Sequence, residues 1–257
     1  MAYYEYLRLQ RSFLIFAAIV IGIALTVYAI AEYHSTSAVI KIEVDRHNVH
    51  TVSVVVFTSL AAWATAILAS VISTSLNRLR EHLSYTWTRP QSRIAMALTF
   101  IGIDLGVLLC AFALVLGIEI ACFLLISRGA VAVRWGGTAA DLLRAFGFAV
   151  MWYAIVQAVS AGLRFSGSAI VGVSWPIFII GASLEAARFP APWHEILTAI
   201  NLFNPMAYLS GTHLSANGDV VLQSFIGFEP AVRVALMYGI SVLALVLAVT
   251  TWRRMEA

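Results

Sequence analysis

IAMALTFIGIDLGVLLCAFALVLGIEIACFLLI, residues 94–126, runs for 33 residues with only two charged side chains, Asp104 and Glu119. A helix needs about 20 apolar residues at 1.5 Å each to cross the hydrocarbon core of a bilayer. As a single helix this stretch extends to about 50 Å, well beyond a 30 Å core. Two antiparallel crossings would leave too little chain for a turn, so it counts as one span. It is either a long helix that protrudes into the cytosol or one broken near Gly102 or Gly106.

Working outward, five further uncharged runs cover residues 13–31, 51–76, 145–163, 165–184 and 234–252. The expected fold is therefore all-α: one transmembrane domain over 1–257 with six transmembrane helices. Composition agrees. Of 257 residues, 61% are hydrophobic and 11% charged, whereas a soluble domain carries about a quarter charged residues. Water-soluble, disordered and disulfide-scaffold classes are excluded. Cys110 and Cys122 share one apolar run, which argues against a disulfide or a metal site.

The net charge of +3 would hint at nucleic acid in a soluble chain. Here it reads as membrane orientation, with no nucleic-acid partner expected. With the N-terminus in the cytoplasm, that side holds nine arginines, including Arg8, Arg11, Arg78, Arg80, Arg89 and Arg93, against Glu5, Glu81 and Glu256. The opposite side holds seven basic residues, including Lys41, Arg144, Arg188 and Arg233, against eight acids. The segment 77–93, with four arginines near membrane ends, makes the stronger case. Both termini are expected in the cytoplasm of a multi-pass cell-membrane protein. Ala29-Ile30-Ala31 looks like a cleavage site, but the 19 apolar residues before it exceed a signal peptide's usual apolar core, so the first span stays.

The segments between spans carry their own patterns. MAYYEYLRLQRS, residues 1–12, mixes tyrosines and leucines with Arg8 and Arg11, which suits a short interfacial helix at headgroup level. Leu76, Leu79, Arg80 and Leu83 follow helical spacing, so 76–85 can lie as an amphipathic helix on the cytoplasmic surface. Pro90 ends any helix there, and Ser92 is placed to cap the next span. Residues 185–233 hold four of the six prolines and an apolar stripe of Ile196, Leu197, Ile200 and Phe203. Too short to span and too apolar for a free loop, this stripe fits a re-entrant helix over the outer mouth. No repeat with a period of 20–50 residues is visible.

The only lysine is Lys41, in Val39-Ile40-Lys41-Ile42, so no phosphate-binding G-x-x-x-x-G-K-[ST] loop exists. An ATP-driven role then requires a separate ATPase subunit. Asp104 and Glu119 are the only acids deep in a span, where ionisable groups are costly and mark transport paths or polar contacts between helices. Fifteen residues separate them, about 60° around a helix and about 22 Å along it, which rules out a direct carboxylate pair. His47-x-x-His50, with His34 and Asp45 nearby, lacks a third fixed metal ligand, and no metal is expected. Ser166-Gly167-Ser168 has no neighbouring histidine, and neither G-x-S-x-G nor H-E-x-x-H occurs, so no catalytic residue is assigned. Gly162, Ser166, Gly167, Ser168 and Gly172 suit close helix packing.

Two local patterns resemble a known family. Arg80-Glu81-His82-Leu83 leading to Thr88-Arg89-Pro90-Gln91-Ser92-Arg93 is similar to the Glu…Thr-x-Pro-x-Ser-Arg element that enters the third span in the membrane subunits of type-2 ABC exporters (ABC-2 permeases). Asn201-Leu202-Phe203-Asn204-Pro205 resembles the Asn-Pro element before their last span. The six-span architecture matches along nearly the whole chain. Ser84 stands where that family commonly has a glycine. The resemblance implies an exporter permease that is not itself an enzyme and binds no cofactor, with ATP and Mg held by a partner ABC ATPase. It implies a homodimer, or a pair with a related permease, around a translocation path in the lipid bilayer. Residues 77–93 would be the coupling loop, through Arg80, Glu81, Leu83, Arg89, Pro90 and Arg93. Two other classes compete. A membrane-embedded enzyme or assembly factor would use the intramembrane acids and outer histidines without an ATPase. An ion-coupled secondary transporter would use Asp104 and Glu119.

Overall fold

The computed structural model describes residues 2–37, 50–78, 93–127, 131–134, 138–162, 167–186, 190, 192–208, 211–214, 220–223 and 230–254. Helix dominates. Six long helices are α1 (Ala2–Ser37), α2 (Val54–Arg78), α3 (Arg93–Ser127), α4 (Thr138–Gly162), α5 (Gly167–Ala186) and, last in the chain, α7 (Pro230–Arg254). Between α5 and α7 lie the short α6 (Trp193–Asn201) and a 3-10 turn, Pro205–Tyr208.

Among the described residues, four stretches are long and apolar enough to cross a membrane: Leu9–Glu32, Ile94–Ser127, Ala139–Ser160 and Ala231–Thr251. The apolar parts of α2 and α5, Phe57–Ser73 and Ile170–Gly181, are shorter than that standard. Thr58, Thr65, Ser70 and Ser73 lie within α2, and all four are buried against protein rather than turned outward. Thr65 and Ser70 return their hydroxyl protons to backbone carbonyls four residues back. Pro176 lies inside α5 and removes one backbone donor there.

The long apolar run is one unbroken helix, α3, which settles the alternative of a break near Gly102 or Gly106. Neither glycine has a neighbouring atom within 4 Å of where a Cβ would stand, so both lie on an open face. The N-terminal segment is helical from Ala2 and runs into the first span without interruption, rather than forming a separate element. Residues 79–92 lie outside the described residues, and the amphipathic helix expected over 76–85 falls mostly there; Leu76 to Arg78 form the last turn of α2.

Two pairs of short strands were not anticipated. β1 (His50–Ser53) pairs in parallel with β2 (Val131–Arg134), and β3 (Gly211–Leu214) pairs antiparallel with β4 (Val220–Gln223). β-Branched Thr51, Val52, Val131 and Val133 suit the first pair. This pairing organises the bundle. β1 leads into α2 and β2 leads into α4, so α2 and α4 run in the same direction. Two helix–strand–helix units, α1–β1–α2 and α3–β2–α4, thus lie side by side with α1 on α3, β1 on β2 and α2 on α4. Aromatic and hydroxyl contacts keep the same register: Trp63 meets Phe148, and Ser70 meets Trp152.

α4 is the central helix. Phe148, Trp152, Tyr153 and Val156 are buried in the main core with Leu68, Ile72 and Leu108. α7 packs along its other side, where Gly147 gives Met237 and the Tyr238 ring room to approach. The Tyr238 hydroxyl donates to the Leu143 carbonyl at 2.9 Å. The outward faces are aliphatic: Leu14, Ile19, Ile23 and Leu25 on α1, and Val242, Leu243, Val246 and Leu247 on α7, are all exposed. Such surfaces suit lipid chains, and the whole reads as a membrane protein's helical bundle.

Candidate functional site

Among the described residues, buried polar groups concentrate in two places, one inside the α2–α3–α4 packing and one where α6 meets α5. The first begins at Ser70. Its hydroxyl donates to the Ala66 carbonyl at 3.0 Å and accepts from Trp152 Nε1 at 2.8 Å and Trp175 Nε1 at 3.3 Å. One donor and two acceptor positions is the full capacity of a serine hydroxyl. The two indoles lie 4.2 Å apart, and Trp175 stacks on Trp63 at 5.3 Å. Helices α2, α4 and α5 are joined by this aromatic ladder, in which the Trp152 and Trp175 N–H groups share the Ser70 hydroxyl as acceptor.

One residue beyond Trp152, the Tyr153 hydroxyl donates to Asp104 Oδ2 at 2.7 Å. Asp104 is fully buried, as is Tyr153. This is the polar contact between helices that the sequence left open as one role for Asp104. Farther along the same helices, Gln157 is also fully buried, and its Nε2 and Oε1 have no hydrogen-bond partner among the described residues. The Ser73 hydroxyl has none either.

Glu119 does not join this group. It sits on the far half of α3, half-buried, and its Oε2 is buried without a hydrogen-bond partner among the described residues. Because α3 is continuous, the two acids stay far apart, and no direct carboxylate pair forms. One turn on, the Phe123 ring meets Phe57 of α2 at 5.2 Å.

The second polar place lies at Asn201-Leu202-Phe203-Asn204-Pro205. Asn201 Nδ2 donates to the Gly181 carbonyl at 3.0 Å. Asn204 Nδ2 donates to the Phe178 carbonyl at 2.9 Å and to Asn201 Oδ1 at 2.8 Å, while Asn204 Oδ1 accepts from the Met206 N–H at 3.0 Å. The Tyr208 hydroxyl closes the turn on the Leu202 carbonyl at 2.9 Å. Burial pushes that phenol's pKa up, which keeps it a donor. The turn reaches deep: Ala207 and Tyr208 pack with Met151 and Met237, about 20 Å along α4 from its first residue. Phe178 links the two places, with its ring against Trp152 at 5.1 Å and its carbonyl on Asn204.

α6 turns a different face outward. Trp193, Ile196, Ile200 and Phe203 are exposed, while Leu197 is half-buried and Asn201 is buried. The apolar stripe expected from the sequence therefore faces away from the bundle rather than into it. Glu195 is exposed on a third side.

Of the remaining expected positions, Arg80, Glu81, Leu83, Arg89 and Pro90 lie outside the described residues, and Arg93 is the first residue of α3. His50 falls in β1, opposite Val131, while Asp45 and His47 lie outside the described residues. Among the described residues no three His, Cys, Asp or Glu side chains cluster as a metal site. The aromatic ladder went unseen because its partners are separated by 82 and 105 residues. Gln157 had a signal: it is the only amide in the apolar run 145–163. No family model, no curated protein and no solved structure matches the chain.

Proposed function

We propose that this chain is the permease subunit of an ATP-driven exporter of the ABC-2 type, coupled to a separate ATPase and paired with a second permease subunit. The main support is the segment Thr88-Arg89-Pro90-Gln91-Ser92-Arg93 and its position. In the chain it lies between Arg78, where α2 ends, and Arg93, where α3 begins, and these two helix ends lie away from β1 and β2. An ATPase docking there would pull on two helices that carry Ser70 and Asp104. With a single lysine and no phosphate-binding loop, the chain itself supplies no nucleotide site.

On this reading all six long helices cross the membrane, both termini and residues 77–93 face the cytoplasm, and 185–233 lies outside. The lengths of α1, α3, α4 and α7 support crossing directly. For α2 and α5 the support is packing: Ser70 of α2 accepts from Trp152 of α4 and from Trp175 of α5, which ties both helices into the bundle. The burial of Pro205–Tyr208 beside Met151 and Met237 supports a re-entrant element before the last span. The outward stripe of α6 would then meet lipid. The translocation path would run by Asp104.

The test is co-purification. Glu81→Arg, Arg89→Glu and Leu83→Asp leave every span untouched, so each variant should insert normally. A charge left unpaired in a partly desolvated contact costs about 2–5 kcal/mol, at least about a 25-fold loss of affinity. Each variant should therefore fail to retain the partner ATPase and fail to stimulate its turnover. Unchanged retention and turnover for all three would reject the docking role.

One observation favours a second reading, an ion-coupled transporter. Glu119 Oε2 is buried in an apolar helix without a hydrogen-bond partner among the described residues, as a carboxyl that binds and releases an ion would be. Transport that persists without ATPase and collapses with the ion gradient would select it.

A further inference from the structure

The first two turns of α4 and α7 bring basic charge together. Gly147 of α4 leaves room for the Met237 side chain and the Tyr238 ring of α7, and the Tyr238 hydroxyl donates to the Leu143 carbonyl at 2.9 Å. These contacts lie near the start of both helices, and α7 packs along α4, so the two run parallel with their N-termini side by side. Arg144 stands one turn before Gly147, and Arg233 stands one turn before Met237. Residues three or four apart share a helix face, so both arginines lie on the packed seam at one level. The charge of Arg144 accordingly acts on Arg233.

The balance of charge there is positive. Asp141 accepts from Arg144 at 2.9 Å, and the Arg144 side chain is 12% exposed. Asp141, Arg144 and Arg233 are the only charged residues in these two pairs of turns, so one carboxylate stands against two guanidiniums. Each helix N-terminus adds about half a positive charge. Position matters as much as sign. The apolar stretches begin at Ala139 and Ala231, which puts Arg144 and Arg233 about 7.5 Å and about 3 Å inside them. Helical side chains lean toward the N-terminus, which here is the near membrane surface. Both guanidiniums can therefore reach headgroup level, as long basic side chains do near the ends of spans. Their chain neighbours Leu143 and Val232 are exposed and offer apolar surface to an acyl chain.

We propose that Arg144 and Arg233 form a binding site for the phosphate of an anionic phospholipid at the α4–α7 seam. A guanidinium presents five donors in a planar fork, so each arginine can keep a protein partner and still hold a phosphate oxygen. The positive balance favours a headgroup without a cation of its own, hence phosphatidylglycerol over phosphatidylcholine. The exposed aliphatic neighbours favour a lipid over a soluble phosphate. The site requires only that α4 and α7 cross a bilayer, whichever surface their N-termini face, and is separate from the docking role of residues 77–93.

The experiment is native mass spectrometry of the full chain released from detergent micelles doped with either lipid. The wild type should retain phosphatidylglycerol at least about fivefold more than phosphatidylcholine, the effect of one basic residue on an anionic surface. Arg233→Gln leaves the Asp141–Arg144 pair whole and should cut that preference below about twofold. Asp141→Asn with Arg144→Gln keeps the net charge yet removes one of the two guanidiniums, so a fall there shows a site rather than general attraction. Should that double variant fail to fold, Arg144→Lys, which keeps the charge and loses the fork, takes its place with the same expected fall. Equal retention of the two lipids by the wild type, or an undiminished preference in these variants, overturns the proposal. Displacement of the lipid by inorganic phosphate would overturn it in favour of a soluble anion. Glu229 precedes α7 and lies outside the described residues. A preference seen only in Glu229→Gln would assign the place to that carboxylate instead.

Discussion

The two buried polar places of this molecule solve the same problem differently. At Asn201 and Asn204 the partners are mostly backbone: the carbonyls of Gly181 and Phe178 and the N–H of Met206. Between α2, α3 and α4 the bonds that cross from helix to helix join side chains to side chains, Trp152 to Ser70 and Tyr153 to Asp104, beside an amide and a hydroxyl that have no hydrogen-bond partner among the described residues. Backbone partners are held by the helix itself and do not move when side chains rotate. A side-chain pair can be exchanged for another by a change of rotamer. The difference assigns rigidity to the α5–α6 junction and adaptability to the interior of α2–α4.

The strongest way to break that contrast is Asn204→Ala. It strips partners from the Phe178 carbonyl, from Asn201 Oδ1 and from the Met206 N–H at once. At about 1 kcal/mol for each lost bond, the expected destabilisation is about 3 kcal/mol, read from unfolding midpoints in micelles. An effect below a third of that would mean the junction is not the rigid member of the pair. Gly181→Ala attacks the same junction by volume. Its Cβ would stand 3.1 Å from Asn201 Oδ1 and 3.2 Å from Asn204 Nδ2, tighter than ordinary contact. The cost should be about 2 kcal/mol, as for overpacking elsewhere. Tyr153→Phe sharpens the other side, removing one bond to a carboxylate that can accept from elsewhere. About 1 kcal/mol is expected. A loss equal to that of Asn204→Ala would erase the distinction between the two places.

How far these features were readable from the chain depends on the distance over which each is encoded. A single span such as 94–126 is written in consecutive residues, and its helix duly appears as Arg93–Ser127. The Asn201-to-Pro205 pattern is also local, and it marks the polar junction, although the helix that receives it lies twenty residues earlier. The apolar stripe of α6 was legible as a stripe but not as outward-facing, because periodicity names a face without naming its neighbour. The parallel strands and the Ser70–Trp152–Trp175 ladder rest on separations of eighty residues or more, and no local signal encodes them. Asp104 lies between: its cost in an apolar helix flagged it, while its partner Tyr153 became known only from the packing.

The pairing of β1 with β2 also sets an order of events during synthesis. The strand ending at Ser53 has its partner only at Val131–Arg134, after all of α3 has been made. Closing so long a loop is entropically slow, and a parallel pair cannot form from a local hairpin. The first two helices therefore emerge from the ribosome without the neighbour that fixes their register. Ser70, Trp63 and the hydroxyls of α2 must wait for α4, and Trp175 arrives later still. A nascent chain that stops short of Arg134 would hold α2 with Ser70 and Trp63 uncovered, a species that cellular quality control is well placed to recognise.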